Sequence, residues 1–311
     1  MRFIPDHDFH IHTHLSPCSG DPTQTKEKLL AYGKENGIKK ICITDQFWDT
    51  DAYPLFHPDY KGLDYDLVCS VLPLPEDSEV EFYLGAELEM DKDMIVGVSK
   101  EHMENFDFMP VATTHMHHHG YAIYHEDRGE LLRSLRYIER LEKFLSADFP
   151  FYKMGIAHIV CTGIGEGSYG HLDVLDRVTD TIFYDIFKKA KEVGVGVELN
   201  IPYKNADGTL FYNDAQLEKI LRPHFIAKDC GCKFYFGSDA HSERGLKNAK
   251  EQFNWVIDLL DLKEEDKFTP LKNKISNNKY RKDRNGSPFL LHILFPWFCT
   301  YKTDNSSQNG N

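Results

Sequence analysis

The chain has 311 residues, 41% of them hydrophobic and 13% aromatic, which is enough for a sizeable core and within the reach of a single α/β barrel. Its formal net charge of −13 argues against stable nucleic-acid binding, which needs a basic stripe, but not against a phosphorylated small molecule, because bound cations reverse the local field of an acidic protein. No apolar run approaches the ~18 residues of a membrane span, the N-terminus lacks a signal-peptide core, and the seven scattered cysteines suit a reducing compartment, so a cytoplasmic location is expected.

The first predicted element is a strand over residues 8–14, Asp8-Phe9-His10-Ile11-His12-Thr13-His14. Residues i and i+2 of a strand share a face, so His10, His12 and His14 are expected on one side with Asp8. A single histidine in an apolar strand is ordinarily a core residue. An H-x-H pair at a strand end is ordinarily a metal clamp, since neutral imidazole is the commonest metal ligand. Residues 24–37 suit one amphipathic helix, started by Pro22-Thr23-Gln24 and stopped at Gly37. Further strands are predicted at 40–45, 81–89, 109–115, 155–160, 194–200 and 233–241. Helices are predicted at 128–145, where Leu131, Leu132, Leu135, Ile138, Leu141 and Leu145 recur at helical spacing, and at 178–193, 214–229 and 248–260. Alternation of this kind predicts an α/β fold with a parallel sheet, and seven units predict a closed or nearly closed barrel over residues 1–266. Residues 267–311 differ, with eight Lys or Arg against two Asp and an apolar run at 287–298 interrupted by Pro296. They are expected to form a poorly ordered, dispensable tail, so that truncation after Asp266 leaves activity intact.

Oxygen and nitrogen ligands sit at the C-terminal ends of the predicted strands: His10 and His12, Asp45-Gln46, Glu87 and Glu89, His115, His158, Glu198 to Asn200, and Asp239 to His241. In a barrel these ends meet at one face, where active sites lie. Alone, each has a plain structural reading: a buried imidazole for His158, a solvated charge for Glu87, a helix cap for Asp239. Together they point to a metal centre, and carboxylates mixed with imidazoles suit Zn, Mn or Fe. A bridging carboxylate between close cations fits in-line phosphate ester hydrolysis.

The ordered motifs D-x-H-x-H-T-x-x-S (Asp8 to Ser16), T-D-x (Thr44 to Gln46), G-x-E (Gly85 to Glu87), the strand-end His115 and His158, and S-D-A-H (Ser238 to His241) resemble the polymerase and histidinol phosphatase (PHP) family over roughly residues 6–260. The resemblance implies a distorted seven-stranded (β/α)7, TIM-like barrel holding two or three divalent metals. One metal is then held by His10, His12, Glu87 and Asp239, and Glu87 bridges to another on His115 and His158. A third site takes His241 with Cys18 and Gln46, where the family commonly has histidines; Gln46 is a poor zinc ligand, which puts that site in question. The resemblance further implies a metal-activated hydroxide attacking a small phosphomonoester, with L-histidinol phosphate the best named substrate. Asp45 or His241 is expected to protonate the leaving group. Arg244 and His117 are expected to line the substrate mouth, with Arg128 and Arg177 as further phosphate candidates. Asn200 is expected to orient a ligand. Two alternatives stand beside this reading: a phosphodiesterase acting on nucleotides or nucleic-acid ends, and a non-catalytic binding module with a degenerate metal site. Oligomeric state is not legible in the sequence.

Overall fold

The structure is a computed structural model, and it describes residues 1–201, 204 and 208–270. The apolar run at 287–298 and the rest of the predicted tail beyond residue 270 lie outside the described residues. Nine strands are present among the described residues: β1 (His7–Ile11), β2 (Lys40–Ile43), β3 (Gln46–Phe47), β4 (Glu81–Leu84), β5 (Glu87–Glu89), β6 (Met109–Ala112), β7 (Met154–Ile156), β8 (Gly196–Leu199) and β9 (Lys233–Phe236). They alternate with helices α1 (Lys26–Asn36), α2 (Tyr65–Cys69), α3 (Lys100–Asn105), α4 (Gly129–Leu145), α5 (Gly170–Arg177), α6 (Asp180–Val193), α7 (Asp214–Asp229) and α8 (Glu243–Leu260). No helix among the described residues is long and apolar enough to cross a membrane.

All named strand pairs are parallel and fall into two sheets, β1-β2-β4 and β3-β5-β6-β7-β8-β9. The count differs from the seven predicted because two strand runs are interrupted, one at Thr44-Asp45 between β2 and β3, the other at Gly85-Ala86 between β4 and β5. Gly85 is required at its break, since a Cβ there would lie 2.4 Å from the Phe108 carbonyl and 2.6 Å from Cys42 Sγ. Isolated parallel bridges join Gly85 to Phe108 and Ile11 to Ala240. The second is reinforced by Asp239 N–H donating to His10 O at 2.7 Å, so the first strand lies beside the segment that follows the last. Parallel direction places every strand's C-terminal end on one side.

Local chemistry accounts for the helix boundaries. Thr25 Oγ1 accepts from Lys28 N–H at 3.4 Å to open α1. Asn213 and Gln216 form a reciprocal capping box that starts α7 at the predicted residue. Helix α4 departs from expectation in its facing. Leu131, Leu132 and Leu135 are exposed, whereas Arg133 and Arg140 are buried. The guanidinium of Arg140 donates to the carbonyls of Thr113, Asp91, Ala122 and Met90, and that of Arg133 to those of Ile164, Met116, Gly163 and Gly165. Buried loop carbonyls demand donors, and each guanidinium supplies five.

Below the strand ends lies a core cluster of Phe9, Cys42, Tyr83, Phe108, Tyr235 and Phe268. Phe268 falls in the predicted tail, yet its amide donates to Phe234 O at 2.7 Å and its ring is buried. Lys267 beside it pairs with Asp6 at 3.2 Å. The described chain therefore stays integral to the core past the expected boundary at residue 266. Phe268→Ala should cost about 3–5 kcal/mol in denaturant unfolding, and truncation after Asp266 should cost at least as much. A loss below ~1 kcal/mol, well under the usual penalty for emptying a buried aromatic site, would show that the ring is not part of the core.

Candidate metal centre

Strand β1 ends at Ile11, and the chain then turns, so the two-residue period holds for His10 and His12 but not beyond. Their Nε2 atoms approach to 3.1 Å. His14 is exposed, with Nδ1 3.4 Å from Gln24 O. Asp8 lies one step deeper and is taken by Ser238 N–H at 3.0 Å and Tyr32 O–H at 3.0 Å, so it does not join the imidazoles.

The other ligands come from the neighbouring strand ends. Glu87 opens β5 and is buried. Its Oε1 lies 2.9 Å from His158 Nε2 and 3.5 Å from His10 Nε2, and its Oε2 lies 3.5 Å from His12 Nε2. Asp239 Oδ1 lies 3.1 Å from His12 Nε2 and 3.6 Å from His10 Nε2. His158 and Asp239 both hold positive φ, 26° and 51°, a conformation that non-glycine residues keep only where surrounding structure imposes it. Among the described residues, two ligand groups have their donor atoms within 4.8 Å of one another: His10, Glu87 and His158, and His10, His12 and Asp239. The two oxygens of Glu87 reach towards both.

Hydrogen bonds behind the rings assign the tautomers. His10 Nδ1–H donates to Glu198 Oε1 at 2.7 Å, and Glu198 is completely buried. His12 Nδ1–H donates to Ser16 Oγ at 2.9 Å, because the Ser16 hydroxyl is itself committed to Asp45 Oδ1 at 2.8 Å. His115 Nδ1–H donates to Glu89 Oε1 at 2.7 Å, and His241 Nδ1–H to the Asp239 carbonyl at 2.8 Å. Each Nε2 is thereby left as a lone pair, the arrangement of metal-ligating histidines. Two such lone pairs 3.1 Å apart at His10 and His12 repel unless positive charge sits with them. His241 Nε2 is buried with no hydrogen-bond partner among the described residues. The donor set therefore fits divalent cations.

The electrostatics agree. Burial alone would raise the Glu87 carboxyl, yet His10, His158 and His115 hold it well below the usual carboxylate range. Burial would lower His10, but Glu198, Glu87 and Asp239 lift it well above the ordinary imidazole value. Burial likewise opposes the rise of His115, which Glu89 and Glu87 carry to about 9. Four buried or half-buried carboxylates thus draw positive charge into one small volume, and a cation satisfies that demand as a proton does.

The remaining predicted residues are placed as follows. His115 Nε2 lies 3.8 Å from Glu87, and its ring stacks on His158 at 4.7 Å. His241 stacks on His12 at 4.0 Å. Cys18 is exposed and belongs to neither three-ligand group, and Gln46 is buried with its amide N–H on Ser16 Oγ at 3.2 Å. His117 is exposed, its ring 5.3 Å from that of His115. Arg244 is exposed in the first turn of α8, with no partner among the described residues. Arg128 donates to His125 O at 3.2 Å, and Arg177 lies 3.9 Å from Glu130 on the surface.

Two expected proton donors need correction. Both oxygens of Asp45 are engaged by the 13–16 loop, accepting from Thr13 N–H at 2.7 Å, Thr13 O–H at 2.7 Å and Ser16 O–H at 2.8 Å. Asp45 braces His12 through Ser16 instead of facing substrate. His241 is pushed down to about 4 by burial and by His12. It is neutral near pH 7 and offers a lone pair at Nε2, not a proton. The orienting role expected of Asn200 falls to Glu198, two residues earlier, which holds His10 with one oxygen and the His158 amide with the other. Glu89 and Ser16 are further contributors. Ser16 was visible in the D-x-H-x-H-T-x-x-S spacing, whereas nothing local to 198 or 89 distinguishes a ligand from a residue behind one.

Gly237 makes room for this arrangement, since a Cβ there would lie 1.9 Å from Glu198 Oε1 and 2.4 Å from His10 Cβ. Gly237→Ala should therefore weaken cation affinity about 10–100-fold without replacing a ligand, by displacing His10 and the Glu198 behind it. Chelator-competition titration checks this, and an affinity equal to wild type would show that the Glu198–His10 contact is dispensable.

No family model and no curated protein matches this sequence. Among solved structures, the chain is similar to the crystal structure of histidinol phosphate phosphatase from Lactococcus lactis subsp. lactis Il1403, complexed with zinc, L-histidinol and phosphate. The TM-score is 0.48 at 14% identity, over 85% of this chain and 99% of that one.

Proposed function

We propose that this chain is a metal-dependent phosphoesterase of the polymerase and histidinol phosphatase kind, with its two parallel sheets acting together as a distorted barrel. The observation that carries this reading is the convergence of His10 and His12 Nε2 with Glu87 and Asp239 at the C-terminal ends of parallel strands. His10, His12, Asp239 and Glu87 would hold one cation, and Glu87, His115 and His158 another. His241, with its unpartnered Nε2, would serve a third together with Cys18. Divalent zinc, manganese or iron there would polarise the ester's phosphate oxygens and lower the pKa of water.

The chain's own residues supply the rest. Glu198, Glu89 and the Ser16–Asp45 pair keep the imidazoles in place, so little reorganisation accompanies reaction. Arg244 is free to meet phosphate, and His117 flanks the mouth beside His115. The acidic chain favours a small phosphomonoester over nucleic acid. L-histidinol phosphate is the leading named substrate, and the cytoplasm the expected compartment. The test is phosphate release from L-histidinol phosphate, an aryl phosphate and an aryl phosphodiester by metal-quantified protein, with Zn, Mn or Fe supplied. Faster turnover of the monoesters supports the reading, preference for the diester redirects it to a phosphodiesterase, and no turnover with any metal overturns it.

A further inference from the structure

Glu89 is the last residue of β5, two positions after Glu87 and on the same face, and it is completely buried. Its Oε1 accepts from His115 Nδ1–H at 2.7 Å and from the Tyr60 hydroxyl. Its Oε2 is buried with no hydrogen-bond partner among the described residues. Such an atom ordinarily costs free energy, so the groups packed around it bear on its role. Arg140 is the buried cation on which Glu89 acts, but its donors go to the carbonyls of Thr113, Asp91, Ala122 and Met90. What remains is His115, whose opposite nitrogen lies 3.8 Å from Glu87. One imidazole thus spans two buried carboxylates, one behind it and one in the ligand cluster.

We propose that Glu89 is a positioning residue for cation binding: it fixes His115 in the tautomer that turns Nε2 towards Glu87, and so sets how tightly the cation shared by Glu87, His115 and His158 is held. This rests on the metal-centre reading above. A purely structural role would run through Tyr60, which packs with Trp48, Phe56, Leu63 and Ala122. The two roles separate experimentally. Glu89→Gln keeps size and an acceptor oxygen for both donors but removes the charge, whereas Tyr60→Phe removes only the loop contact.

The experiment is chelator-competition titration of the metal-free protein and both variants with zinc and with manganese. Glu89→Gln is expected to weaken one bound cation about 10–100-fold and leave any other unchanged, while Tyr60→Phe leaves all as in wild type. Ring 15N spectra of zinc-loaded wild type add a check that needs no variant, with His115 expected protonated at Nδ1. The inference is overturned if Glu89→Gln titrates like wild type, if Tyr60→Phe weakens the same cation equally, or if His115 carries its proton on Nε2. A wild type that binds no cation overturns both this inference and the phosphoesterase reading. A wild type that binds two, beside a Glu89→Gln that binds them identically, overturns this inference alone.

Discussion

Glu87→Gln should cut ester hydrolysis by roughly a thousandfold or more while leaving the fold in place. The estimate asks the residue for about 4 kcal/mol of transition-state stabilisation, the scale expected of a charge that holds catalytic cations. The Glu87 side chain reaches four histidines of the cluster. Its oxygens lie 2.9 Å from His158, 3.5 Å from His10, 3.5 Å from His12 and 3.8 Å from His115. Glutamine preserves the volume but halves the acceptor capacity and removes the negative charge that draws cations in. Bound metal, measured by elemental analysis, should fall with activity. Retention of both metal and rate in a folded variant would place the reaction elsewhere on the molecule.

Removing metal from the wild type should have the second large effect, on stability. Stripped of cations, the centre must hold Glu87, Glu89, Glu198 and Asp239 against a few protonated imidazoles, with the His10 and His12 nitrogens 3.1 Å apart. Ligand binding to the folded state alone stabilises it by about 3 kcal/mol at a hundredfold excess over Kd. For a chain of this size that corresponds to roughly 5–10 °C of melting temperature. Scanning calorimetry before and after chelation should show this drop, reversed by added zinc or manganese. Identical melting with and without chelator would mean that the cluster binds cations too weakly to matter for folding.

Several parts of the site were legible because they depend only on neighbours in the chain. The strand period predicts that His10 and His12 face one way, and their Nε2 atoms do meet. The placement of Glu87, His115, His158 and Asp239 at strand ends followed from alternation of strand and helix, and parallel direction brings those ends to one side. Other parts depended on where elements stop and what packs against them. Asp8 and His14 share the sequence spacing of the ligands, but Tyr32 and Ser238 capture the first and the end of β1 at Ile11 releases the second. In α4 the leucine spacing pointed inward, which holds for Leu141 and Leu145 but not for Leu131, Leu132 and Leu135, and loop carbonyls drew in Arg133 and Arg140. Phe268 lies among basic and polar residues, and only its packing beside Phe108 and Tyr235 explains its burial.

By itself, then, the sequence determined the α/β class of fold, the end of the strands where candidate donors gather and the side-chain types that gather there, because each rests on local periodicity and donor type. The tertiary structure alone decided which nitrogen of each imidazole faces inward, through Glu198, Glu89, Ser16 and the Asp239 carbonyl. It also turned Asp45 from a proton donor into a brace for His12 and left His241 with a lone pair. Apart from Ser16, four positions from His12, these are consequences of hydrogen bonds between residues 26 to 188 positions apart, or of a backbone turn after β9, and residue spacing within one strand carries no trace of them.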